Sequence, residues 1–146
     1  MDSGESKLEA DVKVIGWHVV LVAASKGSAQ FAYTVGLGHS YQHPEVVVLG
    51  LPDTKAHEIL NIIGTAVKSG LRFSAGDRSA AILSNHSSAF VPFSRSGHAA
   101  YLGYAQRFYG GDEFTALQLV WPDAAGKFPW DPGVAEGVRD SQAVEP

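Results

Sequence analysis

Six histidines, five tyrosines and three tryptophans carry most of the chemical potential of this 146-residue chain. Several of them interrupt runs that otherwise read as buried strand. In FAYTVGLGHSYQHPEVVVLGLP (residues 31–52), His39 and His43 stand four residues apart, among glycines and ahead of Pro44. That spacing puts two ligands on one face of a helix, but Gly36, Gly38 and Pro44 argue against a helix here. A catalytic zinc site would need a third protein ligand, for which His18 or Asp123 are candidates. The competing reading has His43 bonded to backbone in a turn and His39 solvated. No metal or other cofactor is assigned.

His18 lies in VIGWHVVLVAA (14–24), where the period of two places it on one face with Val14, Gly16, Val20 and Val22. A buried imidazole there must be paired, because an unsatisfied ring nitrogen costs about 1–3 kcal/mol. It is read either as a core histidine satisfied by a carbonyl or tyrosine, or as a general acid/base. Thr34 and Gln118 pose the same question on their own strands. Convergence of His18, Thr34 and Gln118 with Tyr33 or Tyr104 would make a polar pocket inside an aromatic wall, a common recipe for a small-ligand site. Trp17, Tyr104, Phe108 and Tyr109 are candidates for the core. Trp121 and Trp130 sit beside prolines in loop-like sequence and could brace the C-terminal segment or form a rigid ligand wall. Asp123 and Asp131 suit turn capping, with acid/base work as the alternative.

Other templates fail. The GLG at 36–38 lacks a third glycine and leads into a strand, and there is no GxxxxGK[ST] phosphate loop or GxSxG nucleophile elbow. Ser40 next to His39 would need a base within reach that adjacency alone does not supply. Cysteine is absent, so disulfides and thiol chemistry are excluded and a reducing cytoplasm is the natural setting. A net charge of -4 offers no basic stripe for nucleic acid. No apolar run approaches the length that spans a bilayer, and the polar start does not resemble a signal peptide.

These side chains must be positioned by ordinary elements. Strands are expected over 14–24 and 30–37, joined as a hairpin through Ser25–Ser28, and over 45–51, 89–93 and 114–121. A helix is expected after Pro52, capped by Asp53, striped by Ile59, Leu60, Ile63 and Val67 and stopped at Gly70, with Gly64 as its one blemish. A second is expected over 98–109 on the spacing of Tyr101, Tyr104, Ala105 and Phe108. The order points to an α+β domain at 13–132, a largely antiparallel sheet of about five or more strands with two main helices. Residues 1–12 and 133–146 read as flexible ends.

The blocks GWHVV, FAYTVGL, HPE, YLGYAQRFYGG, LQLVWPD and FPWDPG, in that order between 14 and 133, resemble the domain-of-unknown-function family 4262, which implies a small bacterial protein and no established activity. Thr34, Gly36, Ser40, Glu45, Pro52, the helix after it, Ser69-Gly70, Phe73, Gly76, Arg78 and Leu117-Gln118-Leu119 resemble a suppressor-of-fused domain. That resemblance implies protein binding, although the His39–His43 loop and the WPD and FPWDPG blocks depart from it.

The expectation is a cytoplasmic binding module, recognising a protein or small molecule on one face formed by the His39–His43 loop and the Trp121–Trp130 segment. Trp17, Tyr33, Thr34, His39, Tyr109, Gln118, Trp121 and Trp130 are the candidate contacts. The alternative is a small enzyme using His18 or His43 as acid/base, with Tyr104 or Asp123 assisting.

Overall fold

The computed structural model describes residues 3–25, 29–83 and 86–142. Six strands form one sheet in the order β1-β2-β3-β6-β5-β4: β1 (His18–Val22), β2 (Phe31–Val35), β3 (Glu45–Leu49), β4 (Arg78–Ser79), β5 (Ser88–Phe93) and β6 (Ala116–Val120). All pairings are antiparallel except β3 with β6, which run parallel with Glu45 opposite Ala116. The α+β class and the hairpin pairing of β1 with β2 are therefore as the residue pattern implies, while Lys26–Ser28 of the turn lie outside the described residues. β3 is buried along its whole length, as its unbroken apolar run requires.

Helix α3 (Asp53–Lys68) covers one face, burying Ala56, Ile59, Leu60, Ile63 and Val67 against Val46, Val48, Phe90 and Leu119. Its cap position is Pro52, so Asp53 is the first helical residue and not the cap. Gly64 has a packing reason: a Cβ there would stand 2.2 Å from the Trp17 indole, which lies flat against the helix. Trp17 is thus core, with its Nε1 donating to Asn61 Oδ1 at 2.9 Å.

The other face is covered by elements that depart from expectation. The N-terminal stretch, expected to be flexible, forms α1 (Ser3–Val14), which seats Leu8 and Val12 in the second core. Two apolar residues at i, i+4 make too narrow a stripe to be read from sequence, yet they suffice once a sheet face lies opposite. The helix also takes Val14, so β1 begins at His18 and not at Val14. The single helix expected over 98–109 is broken into α4 (His98–Tyr101) and α5 (Gly103–Tyr109) at Leu102, whose backbone leaves the helical region and whose side chain is fully buried. The C-terminal stretch forms α6 (Glu136–Ser141). It is tied down by Gln142, which exchanges two hydrogen bonds with the Trp121 backbone, at 3.0 and 2.8 Å, through its side-chain amide.

Candidate functional site

The segment between β2 and β3, expected to be a loop, contains a five-residue helix, α2 (Leu37–Tyr41). Gly36 makes it possible. Its φ of 118° is a left-handed conformation open to glycine, and a Cβ there would come within 2.8 Å of the Gly16 carbonyl. The helix start is then satisfied by a carboxylate from the head of the next strand. Glu45, 1% exposed, accepts hydrogen bonds from the backbone N–H groups of Gly36 (3.0 Å), Leu37 (3.2 Å) and Gly38 (3.2 Å). It also accepts from the Thr34 hydroxyl at 2.8 Å and from the Tyr109 hydroxyl. Thr34 Oγ1 in turn accepts the Val46 N–H at 3.0 Å, and Tyr109 accepts the His39 N–H, which fixes both hydroxyls as donors toward Glu45. Burial pushes the Glu45 carboxyl above its ordinary pKa, while the bonds from Tyr109, Gly38, Thr34 and Gly36 pull it down. Five donors and no acceptor around it suit the ionised form. Desolvation raises the Tyr109 phenol as well.

His43 is also fully engaged. Its Nδ1–H donates to the Pro44 carbonyl at 2.8 Å and its Nε2 accepts the Phe73 N–H at 3.0 Å, so the ring is a neutral brace between two segments of chain. Desolvation lowers its pKa accordingly. His39 is exposed and meets the edge of Phe108. Gln42, between these two histidines, is the one non-glycine with positive φ among the described residues, at 53°.

A row of rings leads away from this carboxylate. Phe108 meets Tyr109, Tyr109 stacks on Phe114 at 5.1 Å, and Phe114 stacks on His98 at 4.3 Å with 10° between planes. Phe93 lies parallel to His98 with ring centroids 6.5 Å apart and then meets Tyr101. His98 is 1% exposed, and neither ring nitrogen has a hydrogen-bond partner among the described residues. Its nearest carboxylate, Asp112, is 3.9 Å away and is occupied by the Gln106 side chain. Desolvation depresses the His98 pKa, Asp112 raises it somewhat and Arg95 lowers it further. Two hollows flank the Phe114–Thr115 segment. One of about 240 Å³ lies against Gly38, Gln42, His43 and Tyr109, and one of about 280 Å³ lies against Phe93, Arg95, His98 and Leu117.

The remaining candidates do not join this group. Thr34 belongs to the Glu45 cluster, but Gln118 donates to the Gln142 carbonyl at 2.9 Å. Two strands separate Gln118 from His18, a spacing of about 14 Å, so the polar pocket expected from His18, Thr34 and Gln118 is not formed. Tyr33 accepts the Tyr104 N–H at 3.1 Å, and burial pushes its phenol up to about 12. His18 and Tyr104 do share a hollow of about 220 Å³. There His18 Nδ1 lies 2.7 Å from Asp11 Oδ2, a partner that sequence reasoning missed because α1 was not foreseen.

The face expected from the His39–His43 loop together with Trp121–Trp130 does not exist. His43 precedes β3 and Trp121 follows β6; since β3 and β6 are parallel, the two segments lie at opposite ends of the sheet, about 16 Å apart. At the far end Trp121 Nε1 donates to the Leu49 carbonyl at 2.8 Å. Asp123 accepts the N–H groups of Ala125, Lys127 and Ala135, and these bonds lower its pKa, so it organises the turn and does not accompany His18 or His43. Trp130 is half exposed and stacks on Phe128, with Arg78 over the Phe128 ring at 4.4 Å.

Glu45 was legible in principle, since a lone carboxylate heading a run buried on both faces must find donors. His98 carried no such signal. No helix among the described residues is long and apolar enough to cross a membrane. The sequence pattern of a protein family described as a domain of unknown function, DUF4262, matches residues 11–135. No curated protein and no solved structure matches the chain.

Proposed function

The chain belongs to the DUF4262 family, and we propose that it is a binding module whose ligand is a small molecule taken up beside Phe114 and His98. The observation that carries this reading is His98, a fully buried imidazole with no partner for either nitrogen. Buried polar atoms are paired in the great majority of cases, and each orphan calls for a reason, such as a bound polar group. Here the orphan forms part of the wall of a hollow whose other walls are Phe93, Phe114 and Leu117, the mix of apolar surface and few polar groups typical of ligand sites. The two other polar groups at this end, His43 and Glu45, have their capacity filled by their own chain and support the fold, not proton transfer. The suppressor-of-fused-like pattern also favours binding over turnover. An NMR screen of polar small molecules against the intact chain tests the reading: binders should shift resonances of Phe93, His98, Phe114 and Thr115. Binders that map instead to Trp121 or Trp130 would overturn it.

One observation favours a second reading, a small enzyme using His18. Asp11 orients its Nδ1, leaving Nε2 uncommitted in a ring that lines a hollow together with Tyr104, the arrangement by which a carboxylate sets an imidazole as general base. Hydrolysis of p-nitrophenyl acetate by the intact chain, lost in His18→Gln and retained in a variant of the exposed His39, would favour this reading. Equal loss in both variants would remove it.

A further inference from the structure

The hollow at His98 has one cation on its wall, Arg95, and that cation is loosely held. Its guanidinium is 3.9 Å from Glu113 Oε2, beyond hydrogen-bonding distance, with both side chains well exposed. Arg95 therefore keeps its donor fork for another acceptor. Resting on the reading that this hollow is the ligand site, we infer that its ligand is a small organic carboxylate with a flat apolar body. A carboxylate matches the planar fork of a guanidinium, which binds it through two parallel N–H···O bonds. A neutral imidazole carries one N–H; both His98 nitrogens are buried and uncommitted, so a shift of the ring toward the hollow would bring that proton to a carboxylate oxygen. The apolar part of the ligand would lie against the exposed portions of Phe93, Phe114 and Leu117 that wall the hollow.

The acidic neighbours limit which carboxylates fit. Asp112 is held by the Gln106 amide, a neutral partner, and so keeps its negative charge beside the hollow. Glu113 is 89% exposed and can swing away, freeing the Arg95 guanidinium for the ligand's carboxylate. A dicarboxylate would bring its second group toward Glu113 and Asp112, so the site selects a monocarboxylate.

The test follows the imidazole resonances of His98 in the full chain during titration with benzoate, benzamide and phthalate, with Arg95→Met as the variant. Benzoate should shift His98 saturably, phthalate and benzamide should bind more weakly, and Arg95→Met should weaken benzoate by about tenfold or more, the loss expected for a charge-assisted pair. Equal affinity for benzoate and benzamide, or undiminished benzoate binding by Arg95→Met, would overturn the carboxylate class while leaving the hollow as a binding site. Failure of every probe to move His98 would overturn the site itself, and the inference with it.

Discussion

Glu45 and His98 are both ionisable, both 1% exposed and both near the same end of the sheet, yet they are treated oppositely by the chain around them. Glu45 is met by five donors from three separate elements: β2, the start of α2 and the end of α5. His98 is met by two aromatic faces and no hydrogen-bond partner. A carboxylate in a dry interior is tolerated only when its lone pairs are filled, so Glu45 acts as a clasp that holds β2, α2, β3 and α5 in register. Neutral imidazole is cheaper to bury, and stacking between rings recovers part of the cost. The saturated group is therefore architecture, and the unsaturated one is where the chain still has bonding capacity to offer.

Cutting the clasp should have the largest effect. Glu45→Ala would strand three backbone N–H groups and two hydroxyls, and urea denaturation should show a loss of about 3–5 kcal/mol, several buried donors left unsatisfied at about 1–3 kcal/mol each with partial relief by water. A loss below about 1 kcal/mol would mean that water replaces the carboxylate freely and that the contrast with His98 is overstated. Tyr109→Phe removes one donor from the clasp and keeps the ring stacked on Phe114, so about 1.5–3 kcal/mol should be lost, the usual value of a hydrogen bond to a charged group.

Acid should separate the two groups by sign. The folded pKa of His98 is depressed below the ordinary histidine value, so its neutral form is the one that folds. Its contribution is present above about pH 6.5 and is lost as pH falls through the folded value, because the unfolded chain takes up the proton first. His43 acts in the same direction, while Glu45, raised by burial, takes up its proton more readily when folded and acts in the opposite one. The difference in stability between His98→Phe and the wild type isolates His98. It should grow in favour of the variant as pH falls from 7 toward 5, by at most about 1.4 kcal/mol per pH unit. A difference independent of pH would mean that His98 finds a partner for its charged form. At pH 7 the same variant should show the smallest change, within about 1 kcal/mol of wild type or slightly more stable, because no hydrogen bond within the chain is lost. A loss above about 2 kcal/mol would show that His98 is as firmly partnered as Glu45, and the comparison would fail.

Local pattern carried much of the fold. The runs at 18–22, 31–35, 45–49 and 116–120, rich in β-branched, aromatic and other apolar residues, are strands because such residues fill a pleated surface. The stripe Ile59, Leu60, Ile63 and Val67 is a helix because it presents one apolar face. Even Gly64, a local defect by propensity, was visible, although its reason came from Trp17, 47 positions away in the chain. Elements held by few residues were not legible. α1 rests on Leu8 and Val12, α2 on Gly36 and a carboxylate from the following strand, and the C-terminal segment on Gln142.

The sequence by itself determined the class of fold, its family, the long helix on one face and the absence of thiol chemistry, because each depends on composition or on spacing along the chain. Only the tertiary structure decided which polar side chains meet. It put Glu45 under five donors, gave His18 its Asp11, filled both nitrogens of His43 and left those of His98 empty. It also sent the His39–His43 segment and Trp121 to opposite ends of the sheet, because β3 and β6 run parallel and a strand's direction in a sheet is set by its neighbours and not by its own residues.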